Sequence, residues 1–382
     1  MSRDLRDRFE RAPLPDAEDA RRRAWSVVSA AAPPAATRSR MRRWRVPVVA
    51  LLAAAGAAVA LTPPGAAVGE WVRARVTTPK KAAEPAAEPA TKPATRLPAS
   101  GRLLVRDERG IAVVAHDRTR TVLGRYDGAT WSPRGLFVAA WRGTRLSALT
   151  PAGAVRWQVT APQPIRTARW SLEPGFRVAY LTSGGQLRIV NGDGTGDRPF
   201  ARAGPAAPAW RPRAGHVLAY ATPFGRLEVR DVDTGALIAS PHATVPRARM
   251  LSWTPSGRRL AVMSAHEIRV FDLHRNSSRT IAPPSDSGFK DAPRARARFT
   301  AAAFSPTGAT LAIVTRSRGR STLTAGRELF ATRGRITGAT WSHDGRWLML
   351  DAPDARQLIA VRVRGAPSVL SYPGGRVQGW SP

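Results

Sequence analysis

The 382-residue chain contains no cysteine. That excludes a disulfide scaffold, a thiolate nucleophile, Cys-ligated zinc and iron–sulfur chemistry. Lysine is almost missing too: Lys80, Lys81, Lys92 and Lys290 are the only four among 60 basic residues. The formal charge of +33 is therefore carried by arginine, against only 27 carboxylates. No run of five or more consecutive basic residues occurs, and the aromatic–basic interleaving of RNA-binding segments is missing. The excess reads as a solvated basic surface that attracts anionic polymers, ahead of direct nucleic-acid binding. With 33 Pro and 32 Gly, a mostly helical protein is excluded as well, since both residues interrupt helices and serve turns.

One stretch bears on the compartment. Residues 46–69 carry no charge over 24 positions, within the roughly 17–25 that cross a bilayer as a helix. Five arginines occupy the eight positions 38–45 just before it, and such a cluster stays on the cytoplasmic side. The reading is a single-pass helix over 46–64 with the N-terminus inside, ended by Pro63-Pro64-Gly65, and the rest of the chain exported. A cleaved signal peptide is the alternative, with Ala58-Val-Ala60 as its small-residue site, although 45 residues ahead of the apolar core are long for a signal. Within the cytoplasmic segment 1–45, residues 2–11 and 16–30 look helical, and the second places Trp25 and Val28 on one side. Two helices this short are marginal alone, so the segment is either a tail that satisfies insertion topology or a dock that folds on a cytosolic partner. Residues 65–100 read as a juxtamembrane stretch followed by a Pro/Ala-rich, semi-rigid spacer.

The remainder, 101–382, is a repeat. An aromatic followed by Ser-Pro or a close variant recurs at Trp131, Trp170, Trp210, Trp253, Phe304, Trp341 and Trp380. The intervals are 39, 40, 43, 51, 37 and 39 residues. Pro fixes the first central φ of a tight turn, and a Gly a few positions on closes it. A continuous apolar stretch follows, for example 136–141, 178–181 and 348–350, as a strand buried on both faces requires. An alternating strand comes next and exits through turn residues such as Asn191-Gly-Asp-Gly. Four short strands per unit of about 40 residues describe one blade of a β-propeller.

Blades of the form x-W-S-P-x-G-x-x-L-A-apolar resemble the propeller repeats of the bacterial TolB-like and WD-repeat-like superfamily. The resemblance covers 101–382 and implies an all-β propeller. It implies no ligand, because propellers host unrelated functions. No blade closes with the Trp-Asp and Gly-His pair of intracellular WD repeats. The chain reaches a seventh signature at Trp380, while 102–107, 111–116 and 121–125 are strands with no signature before them. The simplest account is seven blades, the last shared between both ends of the repeat region; six blades with a loose edge is the alternative.

Catalytic and metal motifs are scarce. The six His stand at different repeat phases, without a close ligand pair. Ser287-Gly-Phe-Lys290 fits S-x-x-K but lies in a turn-rich loop, and no G-x-S-x-G elbow exists. Asn191-Gly-Asp-Gly-Thr-Gly-Asp197 resembles the start of a calcium loop, but Arg202 stands where the bidentate Glu belongs, so a hairpin turn is expected. No cofactor is expected. The 51-residue interval carries an insertion near 283–298 that ends in Arg294, Arg296 and Arg298, a candidate binding loop or a tolerated insertion. The expected function is a non-enzymatic, membrane-anchored, extracytoplasmic module binding a protein or an anionic envelope polymer. Alternatives are a transmembrane regulator of anti-sigma type, with cytosolic partner-binding helices, and an enzyme with a site in the propeller channel.

Overall fold

The computed structural model describes residues 92–172, 176–284, 297–308 and 310–381. The segment 1–45 with Trp25 and Val28, the stretch 46–64 expected to span a membrane, the expected spacer up to 91, Ser287–Lys290 as a motif, Arg294 and Arg296 lie outside them. Among the described residues no helix is long and apolar enough to cross a membrane.

Each signature aromatic ends or nearly ends a short strand: Gly128–Trp131, Ile165–Trp170, Ala209–Trp210, Met250–Trp253, Arg298–Phe304, Gly338–Trp341 and Arg376–Ser381. Each of these strands opens an antiparallel meander of four. Consecutive opening strands touch one another, and Arg376–Ser381 touches both Gly338–Trp341 and Gly128–Trp131. The seven meanders thus close a ring with the opening strands innermost, and they are numbered here as blades one to seven from Trp131 to Trp380. Blade seven takes its inner strand from Arg376–Ser381 and its outer three from Arg102–Asp107, Gly110–Val114 and Arg120–Gly124.

Second strands form the core layer. Residues 138–141, 178–182, Val217–Ala221 and 348–352 are buried without a break, because each blade is covered by a neighbour on both faces. One expected residue departs from this: Leu136 is 57% exposed and the strand begins only at Val138. The turn explains it. The Ser132 hydroxyl accepts from Phe137 N at 2.9 Å, so the chain rejoins the ladder after Leu136.

That hydroxyl bond is the repeated device of the signature. Ser171 accepts from Arg177 N at 2.7 Å, Thr254 from Arg259 N at 3.1 Å and Ser342 from Trp347 N at 2.9 Å. In blade seven Ser381 accepts from Arg102 N at 3.3 Å. The closing blade therefore reproduces across distant sequence the same bond that the others make locally.

The indoles tie blade to blade. Trp210 Nε1 donates to Arg169 O, Trp253 Nε1 to Ala209 O and Trp341 Nε1 to Ala303 O, each at 3.0 Å. In every case the acceptor directly precedes the aromatic of the previous blade. Phe304 has no such donor; there the backbone N of Phe304 donates to Ser252 Oγ at 3.0 Å. Among the described residues, Trp131 and Trp170 keep buried Nε1 groups without a partner.

The spacer reading fails at its end. Lys92–Pro93 adds a parallel fifth strand to the outer edge of blade six. Leu97 and Ala99 are buried, and Leu97 packs with Leu103, Met349, Leu358 and Tyr372. Tyr372 donates to Arg96 O at 2.8 Å and Trp380 Nε1 to Ser100 O at 3.1 Å. The propeller thus begins at 92 and not at 101. Two small apolar anchors in a Pro/Ala-rich stretch carry the contact, and the added strand covers an otherwise open sheet edge.

Candidate functional site

In a meander with the opening strand innermost, the starts of first strands and the ends of second strands lie on one face of the ring. On that face the inner strands, or the turns leading into them, carry Arg166, Arg247, Arg249, Arg298, Arg335 and Arg376, all exposed. Each stands four or six residues before its signature aromatic, at or near the start of its inner strand. Among the described residues only Arg335 of these six forms an ion pair, with Asp354 at 3.6 Å and both side chains half exposed, while Arg376 acts at longer range on the buried Asp351 carboxyl. Arg298 was singled out from the insertion. The other five were missed, although counting back from each aromatic finds them.

On the same face, away from the inner strands, a cleft of about 530 Å³ opens between blades seven and one. Arg125, Arg142 and Arg145 line it together with Tyr126, Ser147 and Gln158. Arg142 and Arg145 stand directly opposite each other across a hairpin. Gln158 donates to the buried Ser147 hydroxyl at 3.1 Å, which fixes the polar floor.

The opposite face treats its charge differently. Asp117, Asp193 and Asp231 accept backbone N–H bonds from Thr119, Thr195 and Thr234 at 2.9, 3.0 and 2.8 Å. These bonds hold all three carboxyls below their usual range. The calcium-like stretch is one of these turns. Asn191 N donates to Thr195 O at 2.9 Å, and Asp197 is taken by Arg188 at 2.8 Å and by the Tyr180 hydroxyl at 2.7 Å. Its carboxylate is occupied in a triad within blade two. Blade three holds a similar triad of Tyr220, Glu228 and Arg230. His216 pairs with Asp233, and His116 bonds Ala99 O at 3.1 Å. Among the described residues no three His or carboxylate groups come together as a metal site would require.

One carboxylate near the arginine face stands apart. Asp351, at the end of the second strand of blade six, is buried. Burial pushes its carboxyl up to about 6, with the Val377 N–H at 2.9 Å and the Arg376 charge pulling the other way. The bond to Val377 crosses from blade six to blade seven, so Asp351 helps hold the closing blade.

Of the residues expected to bind, Arg298 lies on the arginine face. The signature residues Trp131, Trp170, Trp210, Trp253 and Trp341 are buried, while Phe304 and Trp380 are partly buried. They serve the ring and not a site.

No known family profile matches the chain, and no curated protein matches it. Among solved structures, Kuenenia stuttgartiensis hydrazine synthase superposes with a TM-score of 0.50 at 12% identity, over 62% of this chain and 76% of that chain. At that identity the likeness is one of fold and transfers no chemistry. Geometry and comparison together make 92–381 a seven-bladed β-propeller.

Proposed function

We propose that this chain is a non-enzymatic, membrane-anchored binding module whose extracytoplasmic propeller holds a phosphate-bearing polymer of the cell envelope. The observation that carries this reading is the set of six arginines around one end of the channel, four of them with neither an ion pair nor a nearby carboxylate among the described residues. Like charges gathered at one site repel, and an external polyanion removes that repulsion. Guanidinium groups suit phosphate, since they offer paired N–H donors in a fixed fork. A polymer spans several such groups at once and releases counterions from each, so binding falls with salt. The cleft lined by Arg125, Arg142 and Arg145 adds basic surface to the same face, farther from the axis.

The uncharged stretch 46–69 behind the arginine cluster 38–45 supports the anchor and its orientation. A reporter fused after Ser100 is then active outside the membrane, and one fused at Ser29 inside; the reverse pattern contradicts the topology. For binding, the test is titration of the full chain with soluble inorganic polyphosphate between 50 and 300 mM salt, on the order of the range over which phosphate contacts are screened. Saturable binding that weakens steeply with salt is expected. Absence of binding at the lowest salt, together with capture of a single cytosolic protein by residues 1–45, would favour the regulator reading instead.

A further inference from the structure

We infer that the channel also contains a discrete site for a single phosphate-type oxyanion, centred on Arg169 of blade two. The position immediately before each signature aromatic is occupied around the ring by Thr130, Arg169, Ala209, Ser252, Ala303, Thr340 and Gly379. Six of the seven are small, for a packing reason. A side chain here points toward the inner strand of the next blade, as the bond from Phe304 N to Ser252 Oγ at 3.0 Å demonstrates. An arginine does not fit in that seam and must run along the channel wall.

The hydrogen bonds place it there. Arg169 Nη1 donates to Ala168 O at 2.9 Å and reaches Thr167 Oγ1 at 3.5 Å. The bond from Ser171 N to Arg177 O fixes the alternation of the ladder between the first two strands. By that alternation the next bonded pair is Arg169 with Ala179, and Ala168 lies between, its carbonyl turned away from the second strand and toward the axis. The other side of the strand is closed: Ala168 and Trp170 pack with Ala139 and Trp141 of blade one.

Arg169 is thus a cation set inside the ring, half-buried, with no carboxylate partner among the described residues. Burial alone pushes its pKa down. A guanidinium has five N–H donors, and the two bonds here use only one nitrogen. A buried charge without a counter-charge is costly, and an anion that accepts its remaining donors recovers that cost. The arginines at the channel mouth draw anions toward the entrance. The site does not rest on the polymer reading, because its cation lies inside the channel and not on the face.

The test is calorimetric titration of the detergent-solubilised full chain with inorganic phosphate, beside Arg169→Gln. Saturable binding by the parent is expected, with affinity reduced at least about tenfold in the variant. In phosphate-free buffer the variant should melt no earlier than the parent, since an unpaired cation is gone. Should the variant fail to fold, the parent alone decides through arginine modification by phenylglyoxal, read residue by residue by mass spectrometry. Phosphate should slow modification of Arg169 several-fold more than that of exposed Arg364 on the opposite face. Equal phosphate affinity in parent and variant, no saturable binding by the parent, or equal protection of Arg169 and Arg364 would each overturn the site. Loss of polyphosphate binding with the phosphate site intact would sink the polymer reading alone.

Discussion

Trp341 and Trp170 occupy the same phase of their blades and are buried to the same degree, at 8% and 7% exposure. They differ in one bond. Trp341 Nε1 reaches Ala303 O, while Trp170 Nε1 is buried without a partner among the described residues. Replacing an indole by phenyl removes similar bulk at both sites, but only Trp341→Phe loses a hydrogen bond and only Trp170→Phe removes an unsatisfied donor. Denaturant unfolding should therefore show Trp341→Phe losing about 1–2 kcal/mol more than Trp170→Phe; equal losses would deny the tie between blades. Asp351 gives a second test at this scale. Its folded-state pKa, about 6, lies above the ordinary 3.8, so the folded protein retains a proton that the unfolded chain releases. Asp351 therefore favours the fold fully below pH 4, and this contribution is lost as pH rises toward 6. The loss amounts to about 3 kcal/mol for a shift of this size. Asp351→Asn should flatten that part of the stability–pH curve while retaining an acceptor for Val377 N. An unchanged slope between pH 4 and 6 would show that another group is responsible. The aromatics were legible as phase markers, because a large residue at a fixed turn is visible in one dimension. Which indoles find a carbonyl was not, because that is decided by tenths of an ångström between blades.

At the scale of elements, closure concentrates the risk in one strand. Removing 376–382 strips blade seven of Arg376–Ser381, and with it the ladder to Arg102–Asp107 and the Asp351 bond. Loss of a large partly buried aromatic alone costs about 3–5 kcal/mol in a core, against a total of roughly 5–15 kcal/mol for a domain. The truncated propeller should melt far earlier and become open to proteolysis; an unchanged melting curve would contradict the shared blade. Leu97→Ala tests the added edge. With Leu97 only 3% exposed, a loss of about 2–3 kcal/mol is expected by thermal melting, whereas a true spacer residue would cost nothing. The blades were readable because turn chemistry repeats at spacings of 37–43 residues outside the single insertion. Residues 92–100 were not, since proline and alanine signal an extended linker and two buried side chains do not make a period. Leu136 misled for the converse reason: an apolar residue beside a strand looks like its first member unless the hydroxyl bond that skips it is known.

For the whole molecule, the arithmetic of charge announced an anion-seeking surface but not where it lies. Dispersed along the sequence, the arginines looked like background. The ring gathers those that stand four or six residues before five of the seven aromatics onto one end of the channel, while carboxylates of the opposite end are absorbed in turns. The most direct measurement is the slope of log binding constant against log salt for polyphosphate. It should be taken on the full chain and on two variants: Arg166→Gln/Arg249→Gln/Arg298→Gln/Arg376→Gln, and Arg327→Gln/Arg364→Gln on the opposite face. If the arginine face holds the polymer, the first variant lowers the slope by about one per lost contact and the second leaves it nearly unchanged. Equal effects per arginine removed from either face would contradict the account, because the binding would then belong to net charge and not to the ring.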